Sequence, residues 1–228
     1  MHIVFSKDIS DTELTGKVVG IDRGIKKIAV TSENQFFSGG QIKKVSKRYE
    51  KLRSALQSCG SRSAKRHLRK ISRKENRFRT DANHVITKHI AESFEPGTVI
   101  ALEKLTGIRQ TARLRKKQRK DLHRWNFFRF EQFLAYKAED RGMKVEYIDA
   151  RYTSQKCSSC GYISRSNRQS QAVFKCKHCG FSLNAGINAS RNIRQNYLDA
   201  KCYPGSAAVN QRIVGNEVAK AFGNCATV

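Results

Sequence analysis

Cys157 and Cys160 have two residues between them, Cys176 and Cys179 repeat that spacing, and fifteen residues separate the two pairs. Each C-x-x-C bend offers two thiolates from one tight turn, and two such bends complete a tetrahedron around zinc. Gly161 and Gly180 follow the second cysteine of each pair, where a missing Cβ lets the chain turn back beneath the metal. Two disulfides would use the same residues. No signal peptide or apolar span is visible, so a reducing, cytoplasmic setting is expected, and there such spacing favours metal. Four sulfur ligands leave no open coordination position, so the zinc is expected to be structural. Cys59, Cys202 and Cys225 lack such spacing and read as plain thiols.

A second chemistry rests on carboxylates. Asp22 stands in GIDRG, where a first strand meets a turn, and Glu103 stands in ALEKL, at the end of a later strand. Each alone is ordinary, since aspartates form turns and glutamates end strands in water. At neighbouring strand ends of a mixed sheet, however, the two can converge on Mg²⁺, a hard cation that takes oxygen ligands. Paired ions of that kind stabilise the attacking and leaving oxygens of a phosphodiester.

The elements that must position these residues follow from periodicity and punctuation. Residues 17–31 alternate apolar and other residues around Gly24, which predicts a strand and hairpin. Phe36 and Phe37 predict a third short strand ending at Gly39-Gly40. Residues 41–59 and 62–93 read as two long basic helices broken near Gly60. Residues 98–103 (TVIALE) form a short apolar strand, 104–123 a basic loop, 124–142 a helix stopped by Gly142, and 144–149 another strand. The cysteine module follows, then a helix over 186–198. Three strands, helices, strand, helix, strand, inserted module and helix is the order of a ribonuclease-H-like α/β domain with a mixed sheet and flanking helices. The expected division is 17–151 with 184–198 for that domain, 152–183 for the zinc ribbon and 199–228 for a tail.

Composition names the class of partner. Among 228 residues, 45 Lys+Arg against 19 Asp+Glu give a formal charge of +26, which points to a polyanion. Membranes also attract cations, but no basic amphipathic anchor or lipidation motif is present. Residues 43–79 alone carry fifteen Lys/Arg against two Glu. Arg109, Arg113, Arg115, Lys116, Lys117, Arg119 and Lys120 crowd one loop. A charge run is often only a solvated face, yet like charges on neighbouring helical turns repel, so phosphate contact explains the excess better. Trp125, Phe127, Phe128, Phe130, Phe133 and Tyr136 have apolar helical spacing and are expected in the core rather than as a base-stacking platform. His84 reads as a structural or surface histidine.

GIDRGIKKIAV, ALEKLTGIR, RWNFFRFEQFLAYKAEDRGMKVEYIDARYTSQKCSSCG and NAGINASRNI resemble the RuvC-like nuclease half of the transposon-encoded TnpB (OrfB-type) proteins, relatives of the type V CRISPR effector nucleases. The resemblance covers roughly residues 17–193. It implies a RuvC fold interrupted by a zinc ribbon, and a nuclease directed by a guide RNA to matching DNA. Asp22 and Glu103 match the family's first two catalytic acids, and Cys157, Cys160, Cys176 and Cys179 its zinc ligands. The resemblance also lays the basic segments along the guide–target duplex and the mouth of the site, with nucleoid association in the cell.

Two departures qualify it. The family's third acid stands in a pattern like N-A-D-x-N-A-A-x-N-I, whereas residues 184–193 read NAGINASRNI, with Gly186 at the acid's position. Asn184 and Asn188 offer only neutral amide oxygens, and the next carboxylate, Asp199, lies about three turns of roughly 5.4 Å along the helix. The nuclease is therefore expected to be impaired, with Mg²⁺ confined to a remnant site. The second departure is length: HIVFS, within residues 1–16, resembles the last strand of the wedge-like domain that precedes the nuclease half in the family. A separate chain carrying the remainder is one expectation. An active Mg²⁺-dependent DNA endonuclease with a rearranged site and a decayed transposon fragment are the alternatives.

Overall fold

The structure, a computed structural model, describes residues 14–105 and 127–202. Strands β1 (Val18–Arg23), β2 (Lys27–Thr31) and β3 (Phe36–Ser38) form an antiparallel meander. Two helices follow, α1 (Gly40–Cys59) and α2 (Arg62–Glu92), then β4 (Val99–Glu103). Helix α3 (Phe127–Glu139) leads to β5 (Lys144–Ile148). A small hairpin of β6 (Val173–Lys175) and β7 (Ser182–Asn184) lies in the cysteine module, and α4 (Ala185–Cys202) follows. The five-stranded sheet has the order β3-β2-β1-β4-β5, with β4 parallel to β1 and β5 parallel to β4. This is the expected ribonuclease-H-like, RuvC-type mixed sheet with helices on both faces.

Strand alternation sorts the two faces. Val19 and Ile21 of β1, with Ile100 and Leu102 of β4, join Ile90 of α2 and Phe130, Leu134 and Ala138 of α3 in the larger core. Val18 of β1, with Val99 and Ala101 of β4, faces the other way onto Ile193 and Tyr197 of α4. The even-numbered β1 positions, Asp22 among them, therefore look toward α4. Gly20 lets that helix come close. A Cβ built there would stand 2.1 Å from the Ser190 carbonyl oxygen and 2.6 Å from the Arg194 nitrogen, which no side chain tolerates.

The break between the long helices falls where expected. Gly60 takes a left-handed conformation (φ 66°), and the Ser61 side chain caps α2 by accepting from the Ala64 N–H. Glu75, buried on α2, joins the two helices through an ion pair to Arg53 of α1 (2.6 Å), and it also pairs with Arg79 of its own helix, which donates to the Ser46 hydroxyl of α1. Their other faces carry Lys44, Arg48, Arg66, Arg69, Lys70, Arg73 and Arg77 into solvent. At about 1.5 Å per residue, the 31 residues of α2 make a basic rod of roughly 46 Å.

Two expectations change. The aromatic run is not uniformly core: Phe130 is fully buried, but Phe128 is 66 % exposed and Tyr136 is 47 % exposed. Only the helix stripe through Phe130, Leu134 and Ala138 meets the sheet, and Phe128 and Tyr136 stand off it. Phe133 instead stacks on His84 of α2 at 3.7 Å between ring centroids, which gives that histidine a packing role. Trp125 and the Phe127 side chain lie outside the described residues. Helix α4 also runs to Cys202, past the expected end at Leu198.

Candidate functional site

The β1–β4 ladder ends at Ile21 opposite Leu102, so Asp22 and Glu103 sit one step beyond the last pair on the same face of the sheet. Both line a cleft of about 400 Å³, with Val30 of β2, Thr153, Arg168, Asn184 and Gly186 among its other walls. Burial, and then the Glu103 charge, push the Asp22 carboxyl up to about 7. Burial likewise raises Glu103, opposed by a hydrogen bond from the Thr153 hydroxyl and by the charges of Arg23 and Arg168. Two half-compensated carboxylates side by side suit one hard divalent cation, so the donor set fits Mg²⁺.

Position 186 lines the same cleft as the two acids. Val30 is the cross-strand partner of Asp22, and paired residues project to the same face. A Cβ built on Gly186 would lie 3.0 Å from Val30 Cγ2 and 3.3 Å from Asn184 Oδ1. Gly186 therefore opens onto the acid cleft without contributing an oxygen to it. Asp199 does not line the cleft and accepts instead from Gln195 (2.8 Å). Asn184 Oδ1 accepts from the Gly186 N–H (3.0 Å), which ties it to the start of α4.

Asn188 is not available as a substitute ligand. It is fully buried, its Oδ1 accepts from the Ser158 N–H (3.0 Å), and its Nδ2 donates to the Lys156 carbonyl (2.8 Å). One turn on, Asn192 donates to the carbonyls of Thr153 (2.8 Å) and Lys156 (2.7 Å). These two asparagines fasten α4 to the segment that carries both Thr153 and the first knuckle. Their spacing of four puts both on one helix face, a feature that by itself does not single out this role.

In the cysteine module the four sulfurs lie within 4.8 Å of one another. The Cys157–Cys179 and Cys160–Cys176 sulfurs are 3.8 and 3.6 Å apart. Metal–thiolate bonds of about 2.3 Å in a tetrahedron put sulfurs roughly 3.8 Å apart, so the set fits a tetrahedral metal. Each knuckle closes identically: the Gly161 N–H donates to the Cys157 carbonyl and the Gly180 N–H to that of Cys176. Both glycines have positive φ, at 76° and 74°. Asn167, wholly buried, joins the knuckles by donating to the Gln155 and Tyr162 carbonyls and accepting from the Lys177 N–H.

Arg168, the next residue, is a cleft component that its sequence context did not single out. It lines the cleft that holds Asp22 and Glu103, and its charge acts to lower both acids. The basic loop residues Arg109, Arg113, Arg115, Lys116, Lys117, Arg119 and Lys120 lie outside the described residues.

The raised Asp22 carries a pH signature. The folded chain holds this proton up to about pH 7, whereas the ordinary value is 3.8. The folded state thus binds more protons between those values, and metal-free stability falls as pH rises through that window. Asp22→Asn should therefore raise Tm at pH 8 more than at pH 5, at roughly 2–4 °C per kcal/mol for a chain of this size. Thermal melts of both proteins in chelator-treated, Mg²⁺-free buffer that retains the cysteine-bound metal check this. An equal effect at both pH values would contradict it.

Comparison with known proteins bears on family and fold. The OrfB_IS605 family model, described as a probable transposase, matches residues 2–106, and the Cas12f1-like TNB domain model matches 127–193. A CRISPR-associated endodeoxyribonuclease Cas12f1 of Sulfoacidibacillus thermotolerans is 35% identical over 196 residues, covering 78% of this chain and 45% of that protein. A TnpB-like protein of Methanocaldococcus jannaschii is 30% identical over 158 residues, covering 67% of this chain and 56% of its own length. The putative RNA-guided DNA endonuclease InsQ of Escherichia coli is 28% identical over 201 residues, covering 78% and 48%. The chain thus spans about half the length of these relatives. In structure it superposes on Cas12f1 from a cryo-EM complex with sgRNA and target DNA at a TM-score of 0.67 and 21% identity, covering 85% of this chain and 52% of that one. With matching family models on both sides of the basic loop and the shared fold, the chain belongs to the TnpB-type transposon proteins and their Cas12 relatives.

Proposed function

We propose that the chain is a nucleic-acid-binding RuvC-like protein of RNA-guided DNA targeting whose phosphodiester-cutting site lacks one acid. The observation that carries this reading is Gly186, set beside Asp22 and Glu103 where a third carboxylate would complete the cleft. Asp22 and Glu103 would hold Mg²⁺, which when bound supplies electrostatic stabilisation to a phosphodiester's oxygens. Thr153 fixes the Glu103 carboxylate, and Arg168 adds a positive charge suited to phosphate in the same cleft. Position 186 adds no oxygen, so the ligand set for paired ions is short of a donor. Losing such a donor removes several kcal/mol of transition-state stabilisation, hence orders of magnitude in rate.

Cys157, Cys160, Cys176 and Cys179 are assigned to structural zinc, because four converging thiolates suit that ion and leave no position open for catalysis. DNA and guide RNA, the partners in the Cas12f1 complex, are the partners proposed here. The charge of +26 and the exposed cationic side of the α1–α2 hairpin support that assignment.

The binding half is tested by salt dependence. Affinity for single-stranded RNA or DNA should fall steeply with salt, by a log–log slope of about 0.7 per phosphate neutralised. Arg69, Arg73 and Arg77 are exposed at intervals of four on α2. Reversing all three to glutamate should reduce the slope by roughly two. Fluorescence anisotropy across a salt series measures it, and a slope near zero for the unmodified chain would refute phosphate contact.

A further inference from the structure

The acids stand just past the point where β1 and β4 cease to be paired, so the ladder itself does not set their spacing. The next β1 side chain, Arg23, spans the gap. It points to the α3 face of the sheet, opposite to Asp22, and is 1 % exposed. One guanidinium nitrogen donates to the Glu103 backbone carbonyl, and the other donates to Glu131 Oε2 of α3 at 3.1 Å. Glu131 also accepts a hydrogen bond from Tyr147 of β5. One forked cation thus joins the ends of β1 and β4 to α3, and through Glu131 to β5. When both acids are ionised they repel, and that repulsion tends to part the strand ends bearing them. A fork that grips the backbone of one acid from the residue adjoining the other opposes this directly. Lysine offers a point charge and cannot make both bonds with the same planar geometry.

We propose that Arg23 and Glu131 are positioning residues for the divalent-cation site at Asp22 and Glu103, setting the distance between the two acids from the far face of the sheet. This rests on the divalent reading of the cleft given above. Neither residue needs to touch the cation. The arrangement makes the cleft sensitive to the placement of α3, which carries Glu131.

The test is Mn²⁺ affinity, read by electron paramagnetic resonance on the zinc-loaded full chain, with Asp22→Ala defining the signal that belongs to the cleft. Arg23→Met, Arg23→Lys and Glu131→Gln are compared with the parent, folding being checked by circular dichroism and zinc content. Positioning predicts that all three weaken Mn²⁺ by about tenfold or more, as loss of a residue that orients a ligand does. Charge alone predicts otherwise: removing the Arg23 cation would tighten Mn²⁺, and Arg23→Lys would leave it unchanged. Tighter binding in Arg23→Met, or affinity within twofold of the parent in Arg23→Lys or Glu131→Gln, overturns the proposal. Should Arg23→Met fail to fold, Arg23→Lys decides, since it keeps the charge and removes only the fork. If Asp22→Ala leaves Mn²⁺ binding intact, the divalent reading of the cleft is what fails, and this proposal falls with it.

Discussion

Replacing Cys157 with serine will release the bound metal and unfold the cysteine module, and the damage will reach the acid cleft. The module has a small core of its own, made of Phe174, Ala185 and the buried Cys157 and Cys176. So few apolar groups cannot offset the ordering of about thirty residues, and metal–thiolate bonding on the order of 10 kcal/mol carries the rest. Loosening spreads because Asn188 and Asn192 anchor α4 to the carbonyls of Thr153 and Lys156 at the module's entrance. Thr153 also holds Glu103, and Arg168 reaches the cleft from within the module. Hydrogen exchange should rise across residues 152–183 far more than across β1, whose amides lie in the centre of the sheet. Elemental analysis should give one zinc per parent chain and none for the variant. Zinc-free parent protein with an unchanged melt in chelator would refute the structural role.

Restoring a carboxylate at position 186 should raise Mg²⁺-dependent cleavage of single-stranded DNA by orders of magnitude over the unmodified chain. The gain depends on packing as well as chemistry. The new Cβ meets Val30 Cγ2 at 3.0 Å, so the valine must yield by a few tenths of an ångström before the carboxylate can settle. Gly186→Asp combined with Val30→Ala should therefore exceed Gly186→Asp alone, and Asp22→Ala added to either should abolish the gain. Initial rates on a fluorescent oligonucleotide decide among these. Silence in both restored proteins, with zinc and fold intact, would mean that the cleft lacks more than one acid.

The sheet was legible because its strands are short apolar or alternating runs set off by Gly24, Gly39 and Gly142, and Gly60 marks the break between the two helices. The two knuckles were legible because metal-ligand spacing is local. Asp22 and Glu103 could be paired through the strand order and through the resemblance of the motifs that hold them, since either acid taken alone is ordinary. Arg168 was not legible: between two knuckles it reads as a solvated charge, and its entry into the cleft depends on how the whole module folds back. Asn188 looked like a spare ligand because its commitment to two backbone groups exists only once α4 is docked. Val30 is one apolar strand residue among several in the sequence, and only the fold shows that its methyl limits what position 186 can hold. Arg23 looked like one more cation in a chain of 45 Lys+Arg. Its burial against Glu131 follows from strand alternation at the end of β1.

The most direct measurement is Mg²⁺-dependent cleavage of single-stranded DNA by the unmodified chain, assayed beside Asp22→Ala at equal zinc content. With Gly186 in place of the third acid, the two should be indistinguishable and at background. Robust cleavage by the unmodified chain, abolished by Asp22→Ala, would show that another group completes the site and that Gly186 does not disable it.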